Sequence, residues 1–202
     1  PSRRSSDLLK VDDNRFILVN SDHSIGEQHF TICHELYHLF SQENFTSMLC
    51  HAGRFDRSSG EEYDADRFAS LLLLPEDAIK SMIPESQLSK DKIELSTILE
   101  LEHYFSCSRE ALLYRLKDLK LISVEKSERF SVDIIQNAVK YGFPIDLYQP
   151  GNNGITIGNY GTYARKLFES DMISESYYIS LLYDLGMNED YLNQIFDSNV
   201  ES

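Results

Sequence analysis

Two histidines and a glutamate stand at a spacing that could hold a metal ion and move a proton. His34, Glu35 and His38 form an HExxH pattern inside a segment, Glu27 to Phe40, whose apolar residues fall at helical spacing. On a helix that turns about 100° per residue, His38 lies about 40° from His34, so both imidazoles converge on one point. Glu35 projects about 100° round the helix and is therefore available for proton transfer. The alternative is a pair of core histidines satisfied by hydrogen bonds, but a mostly apolar helix surface favours a metal site.

A catalytic zinc ion usually takes three protein ligands and leaves its fourth position to water, so a third ligand is needed. The extended pattern HExxHxxGxxH is excluded, because Ser41 stands where glycine is required and Asn44 where the third histidine would be. Glu62, on the next predicted helix, is the better candidate. His51 and Asp64 are the alternatives for this position.

Asp66 lies four residues after Glu62 and therefore on the same helix face. A carboxylate at this position can accept the far N–H of a ligating histidine, which fixes its tautomer and raises its basicity. Ala65 and Ala69 flank that face and allow close approach of the helix. The alternative is that residues 61–66 merely place negative charge at a helix N-terminus.

The ligand set also predicts the chemistry. Two imidazoles and one carboxylate form a mixed nitrogen and oxygen set that favours Zn²⁺ over iron or manganese. Zinc in such a site acts as a Lewis acid, and Glu35 can take a proton from the attacking water and later deliver it to the leaving amine. The predicted reaction is hydrolysis of a peptide bond.

Two stretches together resemble the ImmA/IrrE family of zinc metallopeptidases. They are HFTICHELYHLF at 29–40 and EEYDADRFASLLLLP at 61–75, similar to the family patterns FTxxHExxH and ExxA(N/D)xFAxxLLxP. The resemblance covers residues 16–80 directly and 95–122 more weakly. It implies zinc ligands at His34, His38 and Glu62, a general base at Glu35 and a supporting role for Asp66. Tyr37 departs from the small residue that members tend to have there, and its bulk is expected to narrow the pocket.

The fold predicted by this resemblance and the hydrophobic patterns is α+β and mainly α. A zincin-like metallopeptidase core with a small β-hairpin or sheet occupies residues 1–90, a helix-turn-helix-like segment 91–124, and a helical region 125–202. The predicted hairpin pairs 7–11 with 15–19, and a long loop with little regular structure follows at 41–60. A capping box at Ser58 and Glu61 is expected to open a helix that ends at Pro75, where a second helix begins. Further helices are predicted at 95–104, 108–119, 132–141, 160–168, 175–185 and 189–196.

Composition argues against nucleic-acid binding. The chain of 202 residues has 19 Lys plus Arg and 33 Asp plus Glu, a formal net charge of −14 that repels phosphate backbones. The predicted helical pair does carry four basic residues, but acidic residues interrupt them, so we favour a structural or partner-docking role. The basic residues are Arg109, Arg115, Lys117 and Lys120, and the interrupting acidic ones are Glu110 and Asp118.

The three cysteines are widely spaced and form no CxxC pair, which is typical of reduced thiols in the cytoplasm. The longest aliphatic run, Leu71 to Leu74, is far shorter than the roughly 20 residues that span a bilayer. We therefore expect a cytoplasmic protein without a membrane segment.

The resemblance implies a regulatory endopeptidase that cuts a protein partner, such as a repressor or antitoxin of helix-turn-helix type. The strand at 16–19 is a candidate edge along which an extended substrate could pair. The alternative function is a non-catalytic, zinc-containing scaffold that binds its partner in a toxin–antitoxin or repressor complex. Replacement of Glu35 by glutamine separates the two, because only the enzyme depends on proton transfer.

Overall fold

A computed structural model describes residues 6–11, 14–41, 47–50, 55, 60–151 and 159–185. The chain divides into two compact units, Pro1–Gly151 and Asn152–Ser202. The three-part division predicted above, with boundaries at 90 and 124, stays a prediction. Mainly helical architecture with a small sheet agrees with the predicted fold class.

The sheet has three antiparallel strands: β1 (Ser6–Val11), β2 (Asn14–Val19) and β3 (Ser47–Cys50). Their order is β2-β1-β3, which places β2 at an edge. The predicted hairpin is confirmed, with the register running from Ser6 opposite Val19 to Val11 opposite Asn14. The expectation of little regular structure at 41–60 is wrong at β3, which forms by pairing with β1.

Nine helices lie within the described parts of the chain. In chain order they are α1 (Ile25–Ser41), α2 (Gly60–Leu73), α3 (Glu76–Met82), α4 (Leu95–Phe105), α5 (Arg109–Asp118), α6 (Val124–Phe130), α7 (Ile134–Lys140), α8 (Tyr160–Glu169) and α9 (Glu175–Asp184). Single turns of 3-10 helix occur at Glu85–Gln87 and Asp146–Tyr148. None of the described helices combines the length and apolar character that crossing a membrane requires.

Helix α1 begins with a reciprocal cap. The backbone N–H of Ser24 donates to Glu27 Oε2 at 2.9 Å, while the N–H of Glu27 donates to Ser24 Oγ at 3.4 Å. Two residues after Ser24, Gly26 lies against the α4–α5 turn, where an added Cβ would stand 2.6 Å from Ser108 N. Glycine thus permits the N-terminal end of α1 to approach this backbone closely.

Helix α2 packs against α1 and ends before Pro75. Pro75 is the N-cap of α3 and donates no backbone hydrogen bond, so the break predicted at this residue is confirmed. Ser58, the first residue of the predicted capping box, lies outside the described residues.

Helices α4 and α5 form the predicted helical pair. Ser106 ends α4 in the left-handed conformation (φ 50°), and the Ser108 hydroxyl caps α5 by accepting from Ala111 N. A single hydrophobic core joins this pair to α1, α2 and α3 through residues such as Phe30, Ala69, Leu74, Ile79, Ile98 and Leu112. The pair is therefore part of the same packed body as the first two helices. Helix α6, which begins at the Ser123 N-cap, was not predicted.

The second unit contains α8 and α9. Ala164, Tyr178 and Leu182 form its small core, and the Phe168 ring stacks on Tyr178 with centroids 4.7 Å apart. Both helices agree with prediction to within one residue at each end. The helix predicted at 189–196 lies outside the described residues.

Candidate metal centre

Helices α1 and α2 together bring three potential metal ligands to one point. His34 and His38 lie one turn apart on α1 and are both fully buried, and Glu62 lies in the first turn of α2. The side chain of Glu62 is 30% exposed, so the cluster is open to solvent on the side of this carboxylate. The three residues predicted from sequence as ligands are thus neighbours in space.

The donor atoms face one another at similar separations, with one Glu62 oxygen opposite each imidazole. His34 Nε2 lies 3.1 Å from His38 Nε2, His34 Nε2 lies 3.4 Å from Glu62 Oε2, and His38 Nε2 lies 3.3 Å from Glu62 Oε1. A tetrahedral zinc ion with bonds of about 2.0–2.1 Å requires ligand atoms about 3.3 Å apart. The spacing and the chemistry of these donors therefore fit Zn²⁺.

Asp66 orients one of the two imidazoles. Its Oδ1 accepts from His34 Nδ1 at 2.8 Å, which turns His34 Nε2 towards His38 and Glu62. Its Oδ2 accepts from the backbone N–H of Phe55 at 2.7 Å. Asp66 is 2% exposed, so both hydrogen bonds are shielded from water. This is the placement predicted for Asp66.

The two histidines are held differently. His38 Nδ1 is buried and has no hydrogen bond to any described residue, whereas His34 Nδ1 is held by Asp66. Hydrogen bonds from His34 and His38 hold the pKa of the Glu62 carboxyl well below its usual range, and burial opposes this effect less strongly. Glu62 is consequently a carboxylate at neutral pH, the form that binds a metal ion.

Glu35 follows His34 on α1 and is fully buried. It does not belong to the group of facing donor atoms among the described residues. Of the two alternative third ligands, Asp64 is exposed and outside this group, and His51 lies outside the described residues.

Tyr37 directly precedes His38 on α1 and lies beside the cluster of His34, His38 and Glu62. Its ring lies edge-on to the His38 ring with centroids 5.6 Å apart, and 5.8 Å from the ring of Phe68 on α2. Burial and the nearby charges of Asp64 and Glu61 raise the pKa of the Tyr37 hydroxyl. The rings of Tyr37 and Phe68 therefore form an aromatic wall beside the site.

Sequence reasoning missed Phe55. This residue has a left-handed backbone (φ 49°), and its ring packs against Phe30 with centroids 5.6 Å apart. Its N–H holds Asp66, but any residue except proline supplies an N–H, so no side-chain pattern could have singled it out.

Two of the four basic residues of the α4–α5 pair are engaged inside the protein. Arg109 is 2% exposed, forms an ion pair with Glu102 and donates to Phe130 O at 2.8 Å. Arg115 is 4% exposed, donates to Leu74 O at 3.1 Å and pairs with Asp118 at 2.7 Å. Neither guanidinium is presented to solvent as a contact for nucleic-acid phosphates.

Comparison with known proteins gives one match. The family model described as the IrrE N-terminal-like domain, a peptidase family, matches residues 2–117, which include the whole candidate metal centre. Neither the curated proteins nor the solved structures contain a match to this chain. Since the match spans more than half of the 202 residues, the chain belongs to the IrrE N-terminal-like family of M78 metallopeptidases.

Proposed function

We propose that this protein is a zinc-dependent endopeptidase whose active centre is formed by His34, His38, Glu62 and Glu35. The observation that carries the proposal is the group of facing donor atoms: the two Nε2 atoms lie 3.1 Å apart, and each lies 3.3–3.4 Å from one oxygen of Glu62. Family membership supports a metallopeptidase, and the two-histidine, one-glutamate set is one of those used by catalytic zinc.

The roles of the residues follow from their positions. His34, His38 and Glu62 would hold the ion, and Asp66 keeps the His34 ring in the tautomer that offers its Nε2 lone pair. A zinc ion bound there would supply Lewis acidity to the substrate carbonyl and to the attacking water. The carboxylate of Glu35 would accept a proton from that water and return it to the leaving amine. Burial of Glu35 keeps this proton transfer away from bulk water.

Strand β2 is suited to align the substrate. It is an edge strand and leads through residues 20–24 into α1, the helix that carries the two histidines. An extended substrate segment that paired with β2 would gain main-chain hydrogen bonds independent of its sequence. Proline substitutions along 16–19 would remove donors from this edge and lower turnover if substrate binds there.

We further propose that the substrate is a cytoplasmic regulatory protein, a repressor or antitoxin of helix-turn-helix type. The net charge of −14 supports this class, because DNA-binding partners carry basic surfaces that an acidic protein attracts. Cleavage would release transcription from repression.

Glu35→Gln tests the enzyme, with a candidate repressor or antitoxin of helix-turn-helix type as the substrate. The variant should retain one zinc ion per chain by elemental analysis, because Glu35 is outside the donor group, and should lose cleavage by at least about 100-fold. Glu61→Gln, an exposed glutamate in the first turn of α2, is the matched control and should cleave like the unmodified protein.

The same pair of variants tests the scaffold alternative. If Glu35→Gln binds zinc and the partner normally and regulation in cells is unaltered, the protein acts as a scaffold and the proposed endopeptidase is wrong. Loss of both cleavage and regulation, with zinc retained, supports the enzyme.

A further inference from the structure

Two aromatic rings stand beside the metal centre, one on each of the helices that form it. Tyr37 of α1 lies edge-on to the ring of His38, with centroids 5.6 Å apart, and also contacts the ring of Phe68 of α2, with centroids 5.8 Å apart. Phe68 is 39% exposed and Tyr37 is half-buried, so both rings are accessible to solvent. Because one ring contact separates them from His38, a substrate side chain packed on these rings belongs to a residue at the cleaved bond.

An acidic side chain borders the two rings. Asp64 lies four residues before Phe68 on α2 and therefore shares its face of the helix, one turn nearer the N-terminus. The negative charge of Asp64 acts on the Tyr37 hydroxyl more strongly than that of Glu61 does. Asp64 is exposed and forms no ion pair or hydrogen bond with a described residue. Its carboxylate is therefore available to pair with a cation held on the rings.

This arrangement selects the chemistry of the side chain that it holds. An arginine can lay its apolar stem and planar guanidinium on aromatic rings while the guanidinium pairs with a carboxylate. A purely apolar side chain would gain nothing from Asp64, and an acidic one would be repelled by it. The net charge of −14 adds to the attraction of a cation.

We propose that Tyr37, Phe68 and Asp64 form a subsite for an arginine side chain of the substrate, on a residue that flanks the cleaved bond. This inference rests on the proposed function, because it assumes that a peptide is bound at the metal centre. Pairing along the edge strand β2 is independent of substrate sequence, so a side-chain subsite beside the metal supplies the choice among peptide bonds.

Small hydroxamates test the subsite by binding, because the hydroxamate group chelates zinc and so anchors each probe at the metal centre. The Nα-acetyl amino-acid hydroxamates place their side chain on the carbonyl side of the cleaved bond, and the malonyl hydroxamates of the same amino acids place it on the amine side. Each series contains arginine, its uncharged analogue citrulline, leucine and glycine. Calorimetric titration of the zinc-loaded protein at constant ionic strength measures the Kd of each probe.

In one of the two series, arginine should bind at least about fivefold more tightly than glycine and at least about threefold more tightly than citrulline. The series that shows this preference identifies the side of the cleaved bond on which the arginine lies. The difference between arginine and citrulline should shrink with added salt, because both the carboxylate and the cation are accessible to solvent.

Two variants and a control locate the preference. Phe68→Ala should lose most of the preference for arginine over glycine, because half of the aromatic wall is removed. Asp64→Asn should bind the arginine and citrulline probes alike. Asp77→Asn removes the same charge from an exposed position on α3 and should keep the preference of the unmodified protein. All three variants should bind the glycine probe normally, since none alters a predicted zinc ligand.

The subsite is wrong if arginine binds no more tightly than glycine in both series, or if leucine binds more tightly than arginine, which would indicate an apolar subsite. It is also wrong if Asp77→Asn loses as much of the preference as Asp64→Asn, which would indicate general attraction of cations. Each of these results leaves the proposed function standing, because the glycine probe still binds. If the glycine probe fails to bind the zinc-treated protein, the metal centre itself is wrong, and the subsite is wrong with it.

Discussion

Asp66 is the side chain that orients the His34 ring and links it to the rest of the fold. One carboxylate oxygen holds His34 Nδ1 at 2.8 Å and the other holds Phe55 N at 2.7 Å. Only a group with two acceptor oxygens can make both bonds. The orientation of the ring therefore depends on a carboxylate, rather than on an amide of the same shape.

Asp66→Asn is expected to lower zinc affinity by about 10–100-fold, because the amide has one acceptor oxygen and cannot hold both N–H groups. Competition with a chromogenic chelator measures the affinity. Asp64→Asn, which removes an exposed carboxylate two residues away, should leave it unchanged. A loss of affinity in Asp64→Asn, with none in Asp66→Asn, would instead support Asp64 as the third ligand.

At the level of elements, helices with strong local signals were predicted well. Capping residues or a proline lie within a few residues of the ends of the HExxH helix, of the helices on either side of Pro75, and of the α4–α5 pair. Sequence alone therefore indicates where these helices begin and end. The three candidate ligands also follow from spacing on two helices. Their contact across helices was inferred from chemistry and family resemblance, since spacing alone does not dock one helix on another.

Two elements were missed for physical reasons. Strand β3 (Ser47–Cys50) is four residues long in a polar segment, and it forms by pairing with β1, about 40 residues earlier. Helix α6 (Val124–Phe130) has only two apolar residues in seven, so it has no hydrophobic period. Its one local signal was Ser123, whose hydroxyl accepts from Lys126 N at 3.2 Å.

The close approach of α1 to the α4–α5 turn predicts the effect of Gly26→Ala. In most helices this change stabilises by about 0.5–1 kcal/mol. Here the new Cβ would lie 2.6 Å from Ser108 N and 2.8 Å from Cys107 C, backbone atoms that cannot rotate away. We expect a loss of about 1–3 kcal/mol in the free energy of unfolding by urea.

Gly151→Ala is the control for this effect. Its Cβ would meet the side chain of Ile25, which can change rotamer, so a smaller loss is expected. Equal stability of Gly26→Ala and the unmodified protein would show that α1 does not pack against this turn as described.

Asp91 connects the turn before α4 to the start of α6, and this contact should make the stability of the protein depend on pH. Its Oδ1 accepts from Ser123 N at 2.6 Å, and this backbone hydrogen bond lowers the pKa of the Asp91 carboxyl. A lowered pKa in the folded state means that the stabilisation is present above the usual Asp pKa. The stabilisation is lost as the pH falls through the lowered value.

Asp91→Asn should therefore be less stable than the unmodified protein at neutral pH, and the difference should shrink at acidic pH, because asparagine does not titrate. Urea unfolding at a series of pH values measures this difference. Asp133→Asn is the control, since Asp91 (φ 63°) and Asp133 (φ 52°) both have a left-handed backbone, but the Asp133 carboxylate makes no hydrogen bond to a described residue. A difference for Asp91→Asn that stays constant with pH would contradict the role of the charge.

For the molecule as a whole, the net negative charge and the burial of two arginines both disfavour binding to nucleic acid. The net charge of −14 opposes phosphate backbones over the whole surface, and two of the four basic residues of the α4–α5 pair are buried in internal contacts. Glu102 pairs with Arg109 and also accepts from the Tyr148 hydroxyl at 2.7 Å, which connects α4 and α5 to the 3-10 turn at Asp146–Tyr148. These arginines stabilise the fold, as the favoured structural role predicts.

Duplex DNA should accordingly bind more weakly than about 100 µM at physiological salt, measured by fluorescence anisotropy with a labelled duplex. Lys117 and Lys120 are the basic residues of the segment that retain exposure, so Lys117→Gln/Lys120→Gln is the informative variant. DNA binding that weakens with added salt and is lost in this double variant would restore the helix-turn-helix interpretation. The expected absence of binding in both proteins would agree with repulsion between the phosphates of the duplex and the net charge of −14.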